Sequence, residues 1–158
     1  MRQAVRFLLP LLAASTLAAA AAPPVVQAAG PAAAAADAPA EIRGVLARYA
    51  QAWYEGNAAL MAEVLQPEYV QLSIRHVAHA SDATDASSAL SWLDRVDRGE
   101  GRNPPERKTA VSDLVVHGEL ATARLELAGR TEQLELVRWN QRWRVLHSTS
   151  MAQPEAAP

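Results

Sequence analysis

The sequence has no cysteine, a single phenylalanine, and only 5% aromatic residues in all. The missing cysteine excludes disulfides, thiolate metal sites, a thiol nucleophile and a lipid-attachment cysteine. Neither sign of charge dominates, since 15 basic side chains face 17 acidic ones for a net of −2. Sequence-independent nucleic-acid binding needs a cationic excess to displace counterions, so no nucleic-acid partner is expected. Long apolar runs are missing as well, save one at the N-terminus.

That run has the layout of a targeting segment. Arg2 and Arg6 precede the apolar stretch "FLLPLLAASTLAAA", and Val26 to Ala28, "VQA", offer small residues at the −3 and −1 positions of a cleavage site. Residues 1–28 are therefore read as a signal peptide, and the product as periplasmic or secreted. Pro10 and the alanine-heavy composition argue against a lasting membrane span, which needs about 20 strongly apolar residues. Removing residues 1–28 takes away Arg2 and Arg6 and no acid, leaving a more acidic chain. Residues 29–38 read as a disordered Ala/Pro-rich linker, 39–151 as one folded domain, and 152–158 as a flexible tail. A domain of about 110 residues holds one core, though not a generous one.

Within the domain the apolar period is first helical. Ile42, Val45, Leu46, Tyr49 and Trp53 form one stripe on a helix with Pro39 at its first position. Gly56 ends it, and Asn57 caps a second helix, "AALMAEVLQ", which Pro67 closes. "EYVQLSI" alternates as a strand, and the polar "RHVAHASDATDASS" reads as a loop. Ser87 or Ser88 caps a third helix, "ALSWLDRVDR", in which Asp94 and Arg98 pair one turn apart. From "KTAVSDLVVH" onward the period is two. Four strands follow, with turns at Gly118-Glu119, Gly129-Arg130 and Asn140-Gln141. Segregated helices followed by a meander predict an α+β fold.

"VLARYAQAWYEGNAALMAEVLQPEYV" and "ELVRWNQRWRVLHS" resemble the opening helices and closing hairpin of the nuclear transport factor 2-like (cone-fold) superfamily, in its lumazine-binding and SnoaL-like branch. The resemblance covers residues 40–150. It implies a cone-shaped α+β barrel: three N-terminal helices on a curved, mostly antiparallel sheet, with a pocket at the open end. It also implies a homodimer through the outer sheet face. The superfamily hosts several chemistries and non-enzymatic binders, so the fold does not select a function. Against its ketosteroid isomerases, Tyr49 falls on the oxyanion tyrosine, but the position of the carboxylate base holds Ser73. A serine hydroxyl is no base near neutral pH without a partner.

If Asn140-Gln141 form the last turn, Arg138 pairs with Trp143, Leu136 with Val145, and Leu134 with His147. The more apolar face, Leu134, Leu136, Trp143, Val145 and His147, is expected to look into the cone. Trp139 is expected on the outer face. The candidate ligand-binding residues are thus Tyr49, Trp53, Ser73, Trp92, Trp143 and His147, around a small apolar or aromatic ligand. No catalytic residue, cofactor or metal is assigned. An isomerase-, dehydratase- or cyclase-type enzyme using His147 and Tyr49 stays open, as does a dimeric interaction module with a filled cone. Asp94, Arg95, Asp97 and Arg98 read as a solvated helix face, and Asp113 as a strand residue of either facing. His76, His79 and Asp82 have a metal-like spacing but lack a fourth ligand. His117 reads as an exposed strand end.

Overall fold

The computed structural model describes residues 31–75 and 83–152, and side chains over 37–75 and 83–150. The segment read as a signal peptide, residues 153–158 of the segment read as a tail, and His76, His79 and Asp82 lie outside the described residues. Three helices, α1 (Pro31–Glu55), α2 (Ala58–Val64) and α3 (Ala89–Asp97), pack on a six-stranded sheet. Its strands are β1 (Leu65–Arg75), β2 (Ala83–Ser88), β3 (Thr109–His117), β4 (Leu120–Leu127), β5 (Arg130–Trp139) and β6 (Arg142–Ala152), in the spatial order β2-β1-β6-β5-β4-β3. Among the described strands only the β1–β6 pairing is parallel. The α+β cone expected from the pattern is what the chain forms.

Three boundaries differ from the sequence reading, each for a physical reason. Helix α1 does not start at Pro39 but at Pro31, inside the segment read as a linker, because an alanine run carries the highest helix propensity. Helix α2 stops at Val64, and Leu65 is already extended, so β1 begins ahead of Pro67. The stretch read as a loop contains β2. Its side chains, "ATDASS", show no apolar alternation because it is an edge strand, held to β1 by backbone pairing from Val70↔Ser88 to Arg75↔Ala83.

The caps follow the sequence closely. Asn57 Oδ1 accepts from Leu60 N at 2.9 Å, and Ser88 Oγ from Ser91 N at 3.3 Å. Gly56, at φ +62, makes the turn between α1 and α2. Arg102 donates from Nε to the Glu55 carbonyl and from Nη2 to that of Gly56, satisfying the end of α1. Gly101 lies flat on Trp53, where a Cβ would collide with the indole ring. The core is the stripe of α1 (Ile42, Leu46, Tyr49, Trp53) against the inner faces of β4, β5 and β6: Ala123, Leu125, Leu134, Leu136 and Val145.

Candidate functional site

The inner face of the last hairpin is decided by one irregularity. Arg138↔Trp143 and Leu136↔Val145 pair as expected, but the next partners are Glu135↔His147 and Leu134↔Ser148. Leu146 is therefore the extra residue of a β-bulge, and every side chain beyond it exchanges faces. His147 stands on the outer face beside Glu135 and Val70 rather than entering the cone. Ser148 and Ser150 take the inward positions, and both are buried.

Those inward polar positions meet a carboxylate that the sequence reading did not single out. Glu132 is completely buried, two residues ahead of Leu134 on the same face of β5. Its Oε2 accepts from Tyr49 Oη at 2.9 Å, and its Oε1 pairs with the Arg130 guanidinium. Tyr49 Oη lies 3.4 Å from Tyr69 Oη, which in turn is 2.6 Å from Ser148 Oγ. Burial first, and the nearby Glu132 second, push both tyrosines well above the ordinary phenol range, so they remain neutral donors.

Arg130 was expected in a turn. The turn is instead Ala128-Gly129, and Leu127↔Arg130 closes the β4–β5 ladder, which directs Arg130 inward in phase with Glu132. Its guanidinium lies 3.9 Å from the Trp53 ring centroid and 4.8 Å from that of Trp92. Trp53 and Trp92 are themselves stacked, 5.1 Å apart and 3° from parallel. Arg95, expected on a solvated face, also lies over Trp92 at 4.9 Å while its Nε donates to Glu100 at 2.7 Å. A desolvated cation–π contact such as that of Arg130 contributes about 2 kcal/mol, and the partly exposed one of Arg95 about 1 kcal/mol.

A cleft of about 400 Å³ opens above this stack, lined by Ser73, Ile74, Arg75, Asp85, Arg95, Gly129, Arg130 and Ser150. Ser73 and Ser150 are set by Gln71, whose Nε2 donates to both hydroxyl oxygens at 2.7 Å. Gln71 Oε1 is buried without a donor among the described residues, which costs about 1–3 kcal/mol. A wider groove of about 930 Å³ lies elsewhere, between α1, α2 and the last hairpin. Trp143 and Val45 are buried beneath it, but Glu41, Arg48, Glu63, Gln141 and Arg142 around it are exposed side chains free to rearrange. The smaller cleft is the better-formed site, because its polar groups are fixed from behind.

The six residues expected to line one pocket thus separate. Tyr49, Trp53 and Trp92 are buried against one another and line neither cavity, Ser73 lines the cleft, Trp143 lies in the wider groove, and His147 is outside. Asp113 sits at a bulge of β3 with φ +51 and is exposed, as is His117. Trp139 is half-exposed on the outer face, as expected. Among the described residues no group of three or more His, Asp or Glu is arranged to hold a metal ion, and no helix is long and apolar enough to cross a membrane.

The fold recurs widely among solved structures. The chain is similar to an NTF2-like protein of unknown function from Shewanella baltica, with 18% identity, a TM-score of 0.65, and 76% of this chain and 97% of that one covered. A second such protein, from Silicibacter pomeroyi, matches at 14% identity and a TM-score of 0.64, covering 75% and 98%. An NTF2-like protein with a cystatin-like fold from Novosphingobium aromaticivorans matches at 15% and 0.55, covering 80% and 92%. At these identities the likeness concerns the fold alone. No curated protein matches the chain. Residues 37–149 match the family model described as "Putative lumazine-binding". With that match spanning most of the chain, the protein belongs to the family so described, and its helices and sheet form the NTF2-like fold.

Proposed function

We propose that the chain is an exported, non-catalytic binding protein whose small ligand occupies the 400 Å³ cleft. The observation that carries this reading is Arg130: a guanidinium at the cleft wall, fixed from behind by Glu132 and by two stacked indoles. Such preorganisation is what a recognition group needs. The family's description as lumazine-binding supports a small-molecule ligand, and the N-terminal segment supports export. Because the aromatic residues pack on one another, the cleft suits a ligand with a polar head better than the wholly apolar one suggested by composition. An enzyme built on His147 and Tyr49 finds less support, since Tyr49 donates to Glu132 while His147 lies on the opposite face of the sheet.

Native mass spectrometry of protein isolated from its own compartment tests the reading. A bound small molecule is expected in the natural chain and not in Ser73→Leu, whose larger side chain fills the cleft. A ligand retained by that variant would place binding elsewhere.

A homodimer accompanies this proposal. Val70, Val115, Leu120 and Trp139 are 40–55% exposed, and all four lie on the outer sheet face. Sedimentation equilibrium is expected to give twice the chain mass, and a concentration-independent monomer would remove the proposal.

A further inference from the structure

Resting on the cleft as the ligand site, the geometry points to the chemistry of the group bound there: an oxyanion, carboxylate or phosphate, on a small ligand, held by Arg130, Arg95 and the Ser73–Ser150 hydroxyls.

Donors outnumber free acceptors among the described residues around the cleft. Arg130 and Arg95 have no acceptor capacity at all. Arg95 uses Nε on Glu100, and its two terminal amino groups make no hydrogen bond to a described residue. Both guanidinium groups lie within 5 Å of the same Trp92 centroid, at 4.8 and 4.9 Å, so two like charges are held near one opening. Their carboxylate partners Glu132 and Glu100 are not among the lining residues. Among the described residues Asp85 is the one acid at the cleft, and its Oδ2 already receives Arg75 through Nε at 3.1 Å and Nη2 at 2.6 Å.

The serines complete the pattern. Gln71 Nε2 fills an acceptor position on both hydroxyls, so each oxygen is already receiving a hydrogen. Their 3.3 Å separation lets one hydroxyl donate to the other, and the remaining hydroxyl hydrogen has no acceptor among the described residues. The described residues of the cleft therefore present donors and positive charge, with their one acid engaged. A group with acceptors only matches it, and an ionised carboxylate or phosphate is such a group. A neutral amide or alcohol would bring donors of its own to a wall that has few acceptors for them.

Calorimetric titration of the full chain at fixed ionic strength, with benzoate, inorganic phosphate and neutral benzamide as probes, separates the outcomes. Benzoate or phosphate is expected to bind and benzamide to bind at least tenfold more weakly, the stronger anion identifying which oxyanion the cleft prefers. Arg95→Gln, at a partly exposed side chain, is expected to weaken the anion at least tenfold while leaving the melting temperature within a few degrees. Ser150→Ala is expected to weaken it about threefold. Benzamide binding as tightly as benzoate, with amide shifts at Ser73 and Ser150 in NMR, would overturn the oxyanion assignment and leave the cleft as the ligand site. Anion binding unchanged in Arg95→Gln and Ser150→Ala would overturn the assignment too. Failure of all three probes, together with no ligand on the natural protein, would overturn both the assignment and the site.

Discussion

The interior of the cone differs on the two sides of the Leu146 bulge. Ahead of it, Trp143 lies opposite Arg138 and Val145 opposite Leu136, both joining the apolar core, and the buried polar atoms there without a partner among the described residues are Trp143 Nε1 and Arg138 Nε. Beyond it, Ser148 and Ser150 face Tyr69 and Gln71, with Glu132 and Arg130 on the neighbouring strand. The first half is what holds the fold, by burial of apolar surface. The second half contains desolvated charge and an unpaired amide oxygen, which well-packed apolar groups of the same volume would replace at little or no cost. A fold selected for stability alone has no use for that half, which supports the recognition role proposed for it.

The sharpest way to break this contrast is to remove one partner from each half. Glu132→Ala leaves the Arg130 charge buried without its counter-ion and Tyr49 Oη without its acceptor. A loss of about 3–5 kcal/mol in denaturant unfolding is expected. The double variant Arg130→Met/Glu132→Leu is expected to regain most of it, because no charge is left to satisfy, while losing the ligand. Leu136→Ala, in the apolar half, is expected to cost about 2–5 kcal/mol without altering ligand affinity. A double variant as unstable as Glu132→Ala would mean that the pair is structural.

Alkali distinguishes the halves in a second way. Tyr49 and Tyr69 have folded-state values above those of the unfolded chain, chiefly through burial. The unfolded state therefore loses these protons first. Their contribution to stability is complete below pH about 10 and declines as the pH climbs from there toward the folded-state values. Each tyrosine contributes a slope of about 1.4 kcal/mol per pH unit in that window. Tyr69→Phe is expected to lower the measured slope by one such increment. An unchanged slope would show that Tyr69 ionises as freely folded as unfolded.

The apolar half was legible in the sequence and the polar half largely was not. Alternation placed Leu134, Leu136, Trp143 and Val145 inward correctly, because a buried face leaves a period-two trace. Glu132 continues that alternation, yet a carboxylate near a strand start reads as solvated until its partners are known. Those partners, Tyr49 on α1 and Arg130 at a turn shifted by one residue, come together only through tertiary structure. Arg95 shows the same limit: it is charged and polar in pattern, but its guanidinium covers an indole. The bulge left no signature either. "RVLHSTS" fits an unbroken strand equally well, and one extra residue suffices to exchange His147 for Ser148.

The smallest expected effect tests that exchange directly. His147 lies on the outer face, in a cross-strand row running Val70, His147, Glu135, Thr122 and Val115. It makes no contact with the Tyr49–Glu132 network, so His147→Ala is expected to change unfolding free energy by no more than about 0.5 kcal/mol. Anion affinity in the cleft is expected to stay within twofold. Ser148→Ala, one residue later on the inner face, removes the nearer of the two hydrogen-bond partners of Tyr69 Oη and is expected to cost about 1–1.5 kcal/mol. Adjacent residues should thus differ severalfold in effect, measured side by side in the same denaturant titration. Were the order reversed, the strand would run without its bulge, and the polar half of the cone would be built around a histidine instead of a serine.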